Sequence, residues 1–364
     1  MKIAFIGQKG IPNIIGGVEK HVEEISTRLA ARGHQVTVYN RFYCPQVGEE
    51  YQRVKLRRTF SINTKHLDTI SHVFLSSLDA YLRDYDVIHY HGIGSSLLSF
   101  VPKFTKAKIV ATIHALDYRF KKWNTLAKWF LKLGEKGSIR FPDKTVVVSN
   151  LLKNYIKERY QKEVVYIPNG ITPQKTREIE IASRYNISKN NYILTVSRLI
   201  PDKKIHLLIK SLCQIKAKHK LIIVGKSSFT DQYAETLKLL AARYQRIIFT
   251  GAVFGEELRE IYGNAYLFVF PSEQEGLSIA LLEAMSYGIC CLCSDIPENL
   301  ESVGDCAFTF KNGDPDDLRR KLEMLLMNPH LVVEMGEKGR KRVLENYNWD
   351  HIVTQLEDLY KELY

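Results

Sequence analysis

Residues 2–40, KIAFIGQKGIPNIIGGVEKHVEEISTRLAARGHQVTVYN, decide the fold class. KIAFI is a short apolar run with β-branched residues, the kind of strand that a sheet buries on both faces. The loop after it carries Gly7, Gly10 and Pro12 and ends in Gly16-Gly17. Val18, Val22, Ile25 and Leu29 then recur at i, i+4, i+7 and i+11, one stripe of an amphipathic helix that Gly33 ends. QVTVYN reads as the next strand. Strand, loop, helix and strand make a βαβ unit, and such units build parallel sheets.

The same alternation continues outward. DVIHYHG (86–92), KIVATIHA (108–115) and KTVVVSN (144–150) are apolar runs that end in polar or glycine turns. After residue 172 the pattern restarts with YILTVSR (192–198), KLIIVG (220–225), RIIFTGAV (246–253), YLFVFPS (266–272) and ICCLCSD (289–295). Helical stretches such as IHLLIKSLCQI (205–215) and DQYAETLKLLAARY (231–244) separate them. IPNGITPQKTREIE (167–180), rich in proline, glycine and charge, is the expected linker. NWDHIVTQLEDLYKELY (348–364) reads as a long amphipathic closing helix. With 364 residues, the chain is expected to be α/β, with two doubly wound parallel-sheet domains facing a central cleft. Open parallel sheets take ligands at the carboxyl ends of their strands, so the expected class is a two-lobed enzyme for a nucleotide or phosphate-bearing ligand.

Composition narrows the class further. Hydrophobic residues at 45%, charged residues at 25% and a mean hydropathy of −0.19 exclude a disordered tail protein and a polytopic membrane protein. No apolar run approaches the ~18–20 residues that span a bilayer, and the opening MKIAFIGQKG lacks a secretory apolar core. The expected location is cytoplasmic, or peripheral on the inner face of the cell membrane. The six cysteines fit a reducing compartment. Cys290 and Cys293 form one C-x-x-C without a second cluster, so they read as small buried hydrophobes and no metal site is expected. The net charge of +12 is unevenly spread: residues 1–172 hold 27 basic and 14 acidic residues, and residues 101–140 hold ten and two. Such asymmetry points to a polyanionic partner for the first half.

Three constellations carry chemistry. Gly16-Gly17 precede the first helix, where backbone N–H groups and the helix dipole favour an anion and glycine permits close approach. In VSRLIPDKKI (196–205), Arg198 and Lys203 follow the first strand of the second domain, two cations suited to a diphosphate. In PSEQEGLSIALLEAMSYG (271–288), Gly276-Leu277-Ser278 open a helix between Glu275 and Glu283. Eight helical steps advance about 12 Å, so two carboxylates at this spacing can border the two ends of a nucleotide-sugar. Amides of residues 276–278 add donors at a positive helix end.

These motifs, with IPNGI (167–171) and GGVEKHVEEISTRLAARGHQVTVY (16–39) in the same order, resemble glycosyltransferase family 4 over almost the whole chain. The resemblance implies the GT-B fold: a Rossmann-like acceptor domain (1–172), a Rossmann-like donor domain (173–345) and a C-terminal helix (346–364) crossing back. It implies a metal-independent, retaining hexosyltransferase that has no cofactor and uses a nucleotide-diphospho-sugar as co-substrate. Carried over, Gly16 and Gly17 would lie against the donor, and Arg198 and Lys203 would neutralise the departing diphosphate. Glu275 would contact the transferred sugar and Glu283 the ribose. Amides around Gly276, Leu277 and Ser278 would hold sugar or phosphate oxygens, and His114 would face the transferred sugar. His89 and His91 are cleft-lining candidates. The chain departs from the family at Lys203-Lys204, where Lys-Gly is common, so either lysine could be the phosphate ligand. It departs also at Gly225-Lys226-Ser227, where G-x-G is usual, and at Leu277-Ser278, in place of an aromatic-glycine pair.

GQKGIPNIIGGVEKHVEE (7–24) and HALDYRFKKW (114–123) most resemble bacterial members that build capsule or O-antigen. The expected function is therefore sugar transfer to a lipid-linked or oligosaccharide acceptor in cell-surface polysaccharide synthesis. A nucleotide-sugar epimerase of related fold is one alternative, and would need no acceptor. A basic nucleic-acid-binding protein is another, but no recognisable nucleic-acid-reading element occurs. YRFKKWNTLAKWFLKLGEKGSIR (118–140) offers a different explanation for the basic charge. Phe120, Trp123, Leu126, Ala127, Phe130 and Leu133 fall near one helical face, with Lys121, Lys122, Lys128 and Lys132 elsewhere, so the segment either lies on an anionic membrane surface or packs inward.

Overall fold

The computed structural model describes residues 1–12, 16–45, 48–173 and 182–364, so the linker expected at 167–180 lies partly outside the described residues. The chain forms two compact units, one of residues 1–169 with 349–364 and one of residues 170–348.

The first unit is built on an eight-stranded sheet. Its strands are β1 (Lys2–Ile6), β2 (Gln35–Arg41), β3 (Glu50–Tyr51), β4 (Val54–Thr59), β5 (Val87–His91), β6 (Lys108–Ile113), β7 (Lys144–Val147) and β8 (Val165–Tyr166). The spatial order is β3-β4-β2-β1-β5-β6-β7-β8, and every pairing is parallel except β3 with β4. The central strands β1 and β5 are apolar runs because helices cover both of their faces. The first helix, Gly17–Ala31, buries Val22, Ile25 and Leu29, three of the four stripe residues. Gly33 follows at φ 93°, a backbone region that glycine enters at little cost.

The second unit holds six parallel strands: β9 (Tyr192–Val196), β10 (Lys220–Val224), β11 (Ile247–Gly251), β12 (Leu267–Phe270), β13 (Cys290–Ser294) and β14 (Phe308–Phe310). Their order is β11-β10-β9-β12-β13-β14. Cys290 and Cys293, an odd number of residues apart, point to opposite faces of β13. Both are buried free thiols that burial pushes up to about 12, so the pair cannot share a ligand.

The closing helix, Trp349–Lys361, belongs to the first unit. It buries Trp349, Ile352, Val353, Leu356, Leu359 and Tyr360. Polar contacts fix its register: Tyr360 Oη lies 2.6 Å from His89 Nδ1, Arg28 Nε donates to Asp350 at 3.1 Å, and Arg32 donates to Glu357 at 2.9 Å. His89 Nε2 meets Thr112 Oγ1 at 2.7 Å, so both nitrogens of this buried ring are partnered.

Five histidines, His21, His72, His89, His91 and His114, are buried in this unit, and burial holds all five rings neutral. His21 is drawn from 6.5 to about 4, the Asn169 hydrogen bond only partly opposing the loss of water. Between those two values the unfolded chain binds a proton that the folded chain refuses. Stability is therefore complete above about pH 6.5 and is lost as pH falls from there towards 4. His21 alone contributes on the order of 3 kcal/mol to that loss. Thermal unfolding followed from about pH 7.5 down to about pH 5 should show a falling Tm, and His21→Gln should flatten the slope. A wild-type Tm that does not move over this range would mean that the rings take up protons in the fold as readily as in the unfolded chain.

Candidate active site

In each sheet, one pair of neighbouring strands marks a reversal in the order of winding, and the loops leaving that pair diverge. In the second unit the pair is β9 and β12. The loop after β9 carries Arg198 and Lys203, and the loop after β12 carries Glu273 and Glu275. Glu273 N–H donates to Asp202 C=O at 2.9 Å, stitching the two loops together. Gly225, just past β10, has φ 143°, and a Cβ there would collide with the Ser197 carbonyl, so the arginine loop and the β10 loop meet backbone to backbone.

Lys203 is the best-defined side chain of this edge. A turn of 3-10 helix, Pro201–Lys203, aims it inward, where its ammonium pairs with the Glu275 carboxylate and lies 5.2 Å from the Phe270 ring centroid. Burial pushes the Lys203 ammonium down, Glu275 opposes that shift, and the nearby Arg198 charge reinforces it. Arg198 is half-buried and has no ion-pair partner among the described residues. Lys204 departs from its neighbour. It has φ 51° and pairs with Glu273 at 2.9 Å, at the start of the helix Ile205–Cys213. That left-handed conformation suits glycine, the commoner residue at this place in family 4.

The helix after β12 begins at Ile279, not at residues 276–278, and Ser278 is its N-cap, accepting from Leu281 N–H at 3.4 Å. Leu277 and Ser278 are buried, while Gly276 is half-buried. Glu275 stays in the loop on Lys203, and the half-buried Glu283 stands one turn into the helix, hydrogen-bonded with the buried Tyr262. The Tyr262 ring stacks on Tyr287 with centroids 5.6 Å apart, which fixes the hydroxyl that reaches Glu283. Burial and the Glu283 charge together push the Tyr262 phenol well up, so it is a hydrogen-bond donor and not a base.

In the first unit the reversal lies between β1 and β5. Gly7, after β1, has φ 117°, and a Cβ would stand 2.5 Å from the His91 carbonyl oxygen. His91 ends β5, and His114 follows β6. The two rings stack at 5.3 Å, with His91 Nδ1 at 3.0 Å from His114 Nε2. His91 Nε2 is buried without a partner. A buried lone pair costs less there than a buried N–H, so His91 Nδ1–H is the donor to His114. His21, on the first helix, packs its edge on His114 at 4.7 Å and donates from Nδ1 to Asn169 Oδ1 at 2.8 Å. The ligating atoms of His21, His91 and His114 lie within 4.8 Å of one another, a set able to hold a transition-metal ion. His91 Nδ1 and His114 Nε2 are paired with each other, and His21 Nδ1 with Asn169.

Gly16 and Gly17 differ in what they offer. Gly17 has open space where a Cβ would go. Over Gly16 stands the Glu19 carboxylate, which also accepts from Lys9 N–H at 3.1 Å. The negative group at the start of this helix is thus the chain's own. The segment at 118–134 also departs from expectation. Its helix runs from Thr125 to Arg140, capped by Asn124, so Phe120 and Trp123 precede it and share no helical face with Leu126 and Phe130. Phe120 is buried, and Trp123 leans on His66 at 5.8 Å. The outward apolar residues are Leu126, 74% exposed, and Trp129, 60% exposed.

His21, Asn169 and Tyr262 were not singled out from the sequence. His21 and Asn169 stand within motifs that carry the resemblance, GGVEKHVEE and IPNGI, and a histidine beside the apolar stripe of the first helix is the signal that could have found the cluster. Tyr262 has no such signal, since only the fold brings it to Glu283.

Comparison with known proteins completes the picture. The family model described as "Glycosyl transferases group 1" matches residues 177–342, and "Glycosyltransferase Family 4" matches residues 15–175. An uncharacterized glycosyltransferase of Methanocaldococcus jannaschii is 26% identical over 400 residues, covering 99% of this chain and 98% of that protein. The solved sucrose-phosphate synthase of Thermosynechococcus elongatus superposes with a TM-score of 0.86 at 22% identity, over 100% of this chain and 98% of that one. Anabaena HepE in complex with UDP-glucose superposes with a TM-score of 0.83 at 17% identity, over the full length of both. Two parallel Rossmann-like sheets in this order, with both halves of the chain matched by family models, place the chain among the family 4 glycosyltransferases, in the GT-B fold.

Proposed function

We propose that the chain transfers a sugar, with retention and without a metal ion, from a nucleotide-diphospho-sugar to a lipid-linked or oligosaccharide acceptor in cell-surface polysaccharide synthesis, working at the inner face of the membrane. The observation that carries this reading is the charge balance at the β9–β12 edge. Arg198 lacks an ion-pair partner among the described residues, beside a Lys203 that is ion-paired with Glu275 and has Asp202 as a second carboxylate neighbour. A guanidinium without an ion-pair partner at this edge leaves a site for an anion. The Anabaena neighbour, solved with UDP-glucose, supports a diphosphate as that anion.

On this reading the departing diphosphate gains charge as the bond to the sugar stretches, and Arg198 and Lys203 stabilise it electrostatically. The diphosphate competes with Glu275 for Lys203, which releases Glu275 towards the hydroxyls of the transferred sugar. Glu283, steadied by Tyr262, accepts from the ribose. Helix-start amides near Gly276, Leu277 and Ser278 hold donor oxygens. In the first unit, Gly17 gives the donor room to approach the backbone, and Gly16 does so once Glu19 swings away. His114, held neutral and in register by His91 and His21, takes a hydroxyl of the transferred sugar.

The direct test is a panel of nucleotide-sugars screened by thermal shift, followed by turnover with and without acceptor. Donor-dependent stabilisation and acceptor-dependent product are expected; sugar interconversion without acceptor would make the enzyme an epimerase. Arg198→Ala should lower kcat by roughly 10²–10³-fold, as for other transition-state donors, with little change in Tm. More than half the activity remaining would remove Arg198 from the site. Activity should survive excess chelator, since protein cations supply the charge; full loss, restored by manganese or magnesium, would overturn metal independence.

The two glutamates should fail differently. Glu283→Gln removes contact away from the broken bond and should raise the donor KM. Glu275→Gln acts where charge develops and should lower kcat. Steady-state kinetics with donor varied at saturating acceptor decide the matter, and the reverse pattern would exchange the two roles.

A further inference from the structure

The helix Asp68–Tyr81 of the first unit is amphipathic in the wrong sense for a helix that faces water. Its buried side carries Asp68, His72, Val73, Ser76, Ser77 and Ala80, so most of what it turns towards the sheet is polar or small. Several of those polar groups are paired. Ser76 Oγ lies 2.8 Å from Thr59 Oγ1, Ser77 Oγ lies 2.8 Å from Tyr90 Oη, and Asp68 pairs with Arg41 and accepts from Tyr43 Oη at 2.7 Å. These contacts fix the rotation of the helix. The outward stripe is apolar: Leu67, Ile70, Phe74, Leu78, Tyr81 and Leu82 are all exposed, Leu82 at 81%. A helix against solvent ordinarily shows the reverse arrangement.

The stripe has apolar and basic neighbours. The helix packs on the short helical segments Ile93–Ser96 and Val101–Phe104, and the first of these packs on the helix Thr125–Arg140. Phe104 is 84% exposed, and Phe60, Ile62, Phe100, Leu126 and Trp129 are exposed as well. Residues 93–160, which supply most of this helical layer, contain 14 Lys and Arg against four Asp and Glu. Several acidic groups nearby are already engaged: Asp79 by Arg57 and Arg83, Asp84 by Lys2, and the buried Glu135 by Tyr155 and Tyr160.

We infer that this face, centred on the 68–81 helix, docks on an anionic phospholipid bilayer. Charge complementarity selects this occupant. Exposed aliphatic and aromatic side chains enter the headgroup–acyl boundary while a surrounding excess of Lys and Arg meets lipid phosphate. A second copy joined through the same face would bring the two positive surfaces together. The docking gives the proposed lipid-linked acceptor a surface to be drawn from, and to that extent it rests on the transferase reading. Vesicle binding needs no turnover, however, so the two can fail separately.

The test uses the full chain with vesicles of phosphatidylglycerol and phosphatidylcholine in about equal parts, beside vesicles of phosphatidylcholine alone, read by co-flotation. Binding to the anionic vesicles is expected, weakening as salt is raised. Phe74→Ser/Leu78→Ser, two exposed positions, should weaken it at least tenfold, with the circular dichroism spectrum and activity on a soluble acceptor unchanged. Lys103→Glu/Lys106→Glu should weaken binding at low salt and change it little at high salt. Full-strength binding by the serine variant, equal binding to neutral vesicles, or none to anionic ones would overturn the assignment. A dimer in solution that the serine variant dissolves would give the face to a second copy instead.

Discussion

A parallel sheet sends every strand-to-helix loop out at one edge, and this constraint governs both units. Where the winding order reverses, neighbouring loops diverge and leave unpaired backbone and room for side chains. At the β9–β12 edge that room holds a lysine ammonium taken out of water, which is tolerable only beside a carboxylate. Glu275 supplies it, Phe270 supplies a polarisable floor, and the Asp202–Glu273 backbone bond sets the distance between the two loops. At the β1–β5 edge the same room is filled by stacked neutral imidazoles. One unit thus gathers charge at its loop edge and the other gathers uncharged hydrogen-bonding rings.

The main frame was legible because long apolar runs have few alternatives. All eight strand runs beyond KIAFI and QVTVYN form strands, and the stripe from Val18 to Leu29 forms the first helix. What escaped did so for stated physical reasons. β4, VKLRRT, turns only Val54 and Leu56 fully inward and reads as a charged loop. The 68–81 helix hides its polar side, so the usual rule that apolar means inward misreads it. Asn124 caps the helix Thr125–Arg140 late, so Phe120 and Trp123 lie outside the helical face that their spacing predicts.

At the candidate site, spacing named the residues but not their states. The eight-residue step from Glu275 to Glu283 is plain in the sequence; that Glu275 is locked to Lys203 while Glu283 is held by Tyr262 depends on strands far apart in the chain. Lys203 and Lys204 are equivalent in the sequence and opposite in the fold, because a left-handed turn at Lys204 sends the second side chain to Glu273. The histidine cluster joins residues from the first helix, two strand ends and the chain at Asn169, a meeting that no local pattern encodes.

The closing helix bears on how the chain is made. A ribosome releases residues 170–348, a continuous unit, before it releases residues 349–364, which the earlier unit needs. Until then Tyr360 is missing from His89 and Trp349 from His21, and a buried ring nitrogen and an apolar wall stand open. The half of the protein synthesised first is therefore the half completed last, inverting the order in which domains usually mature on the ribosome.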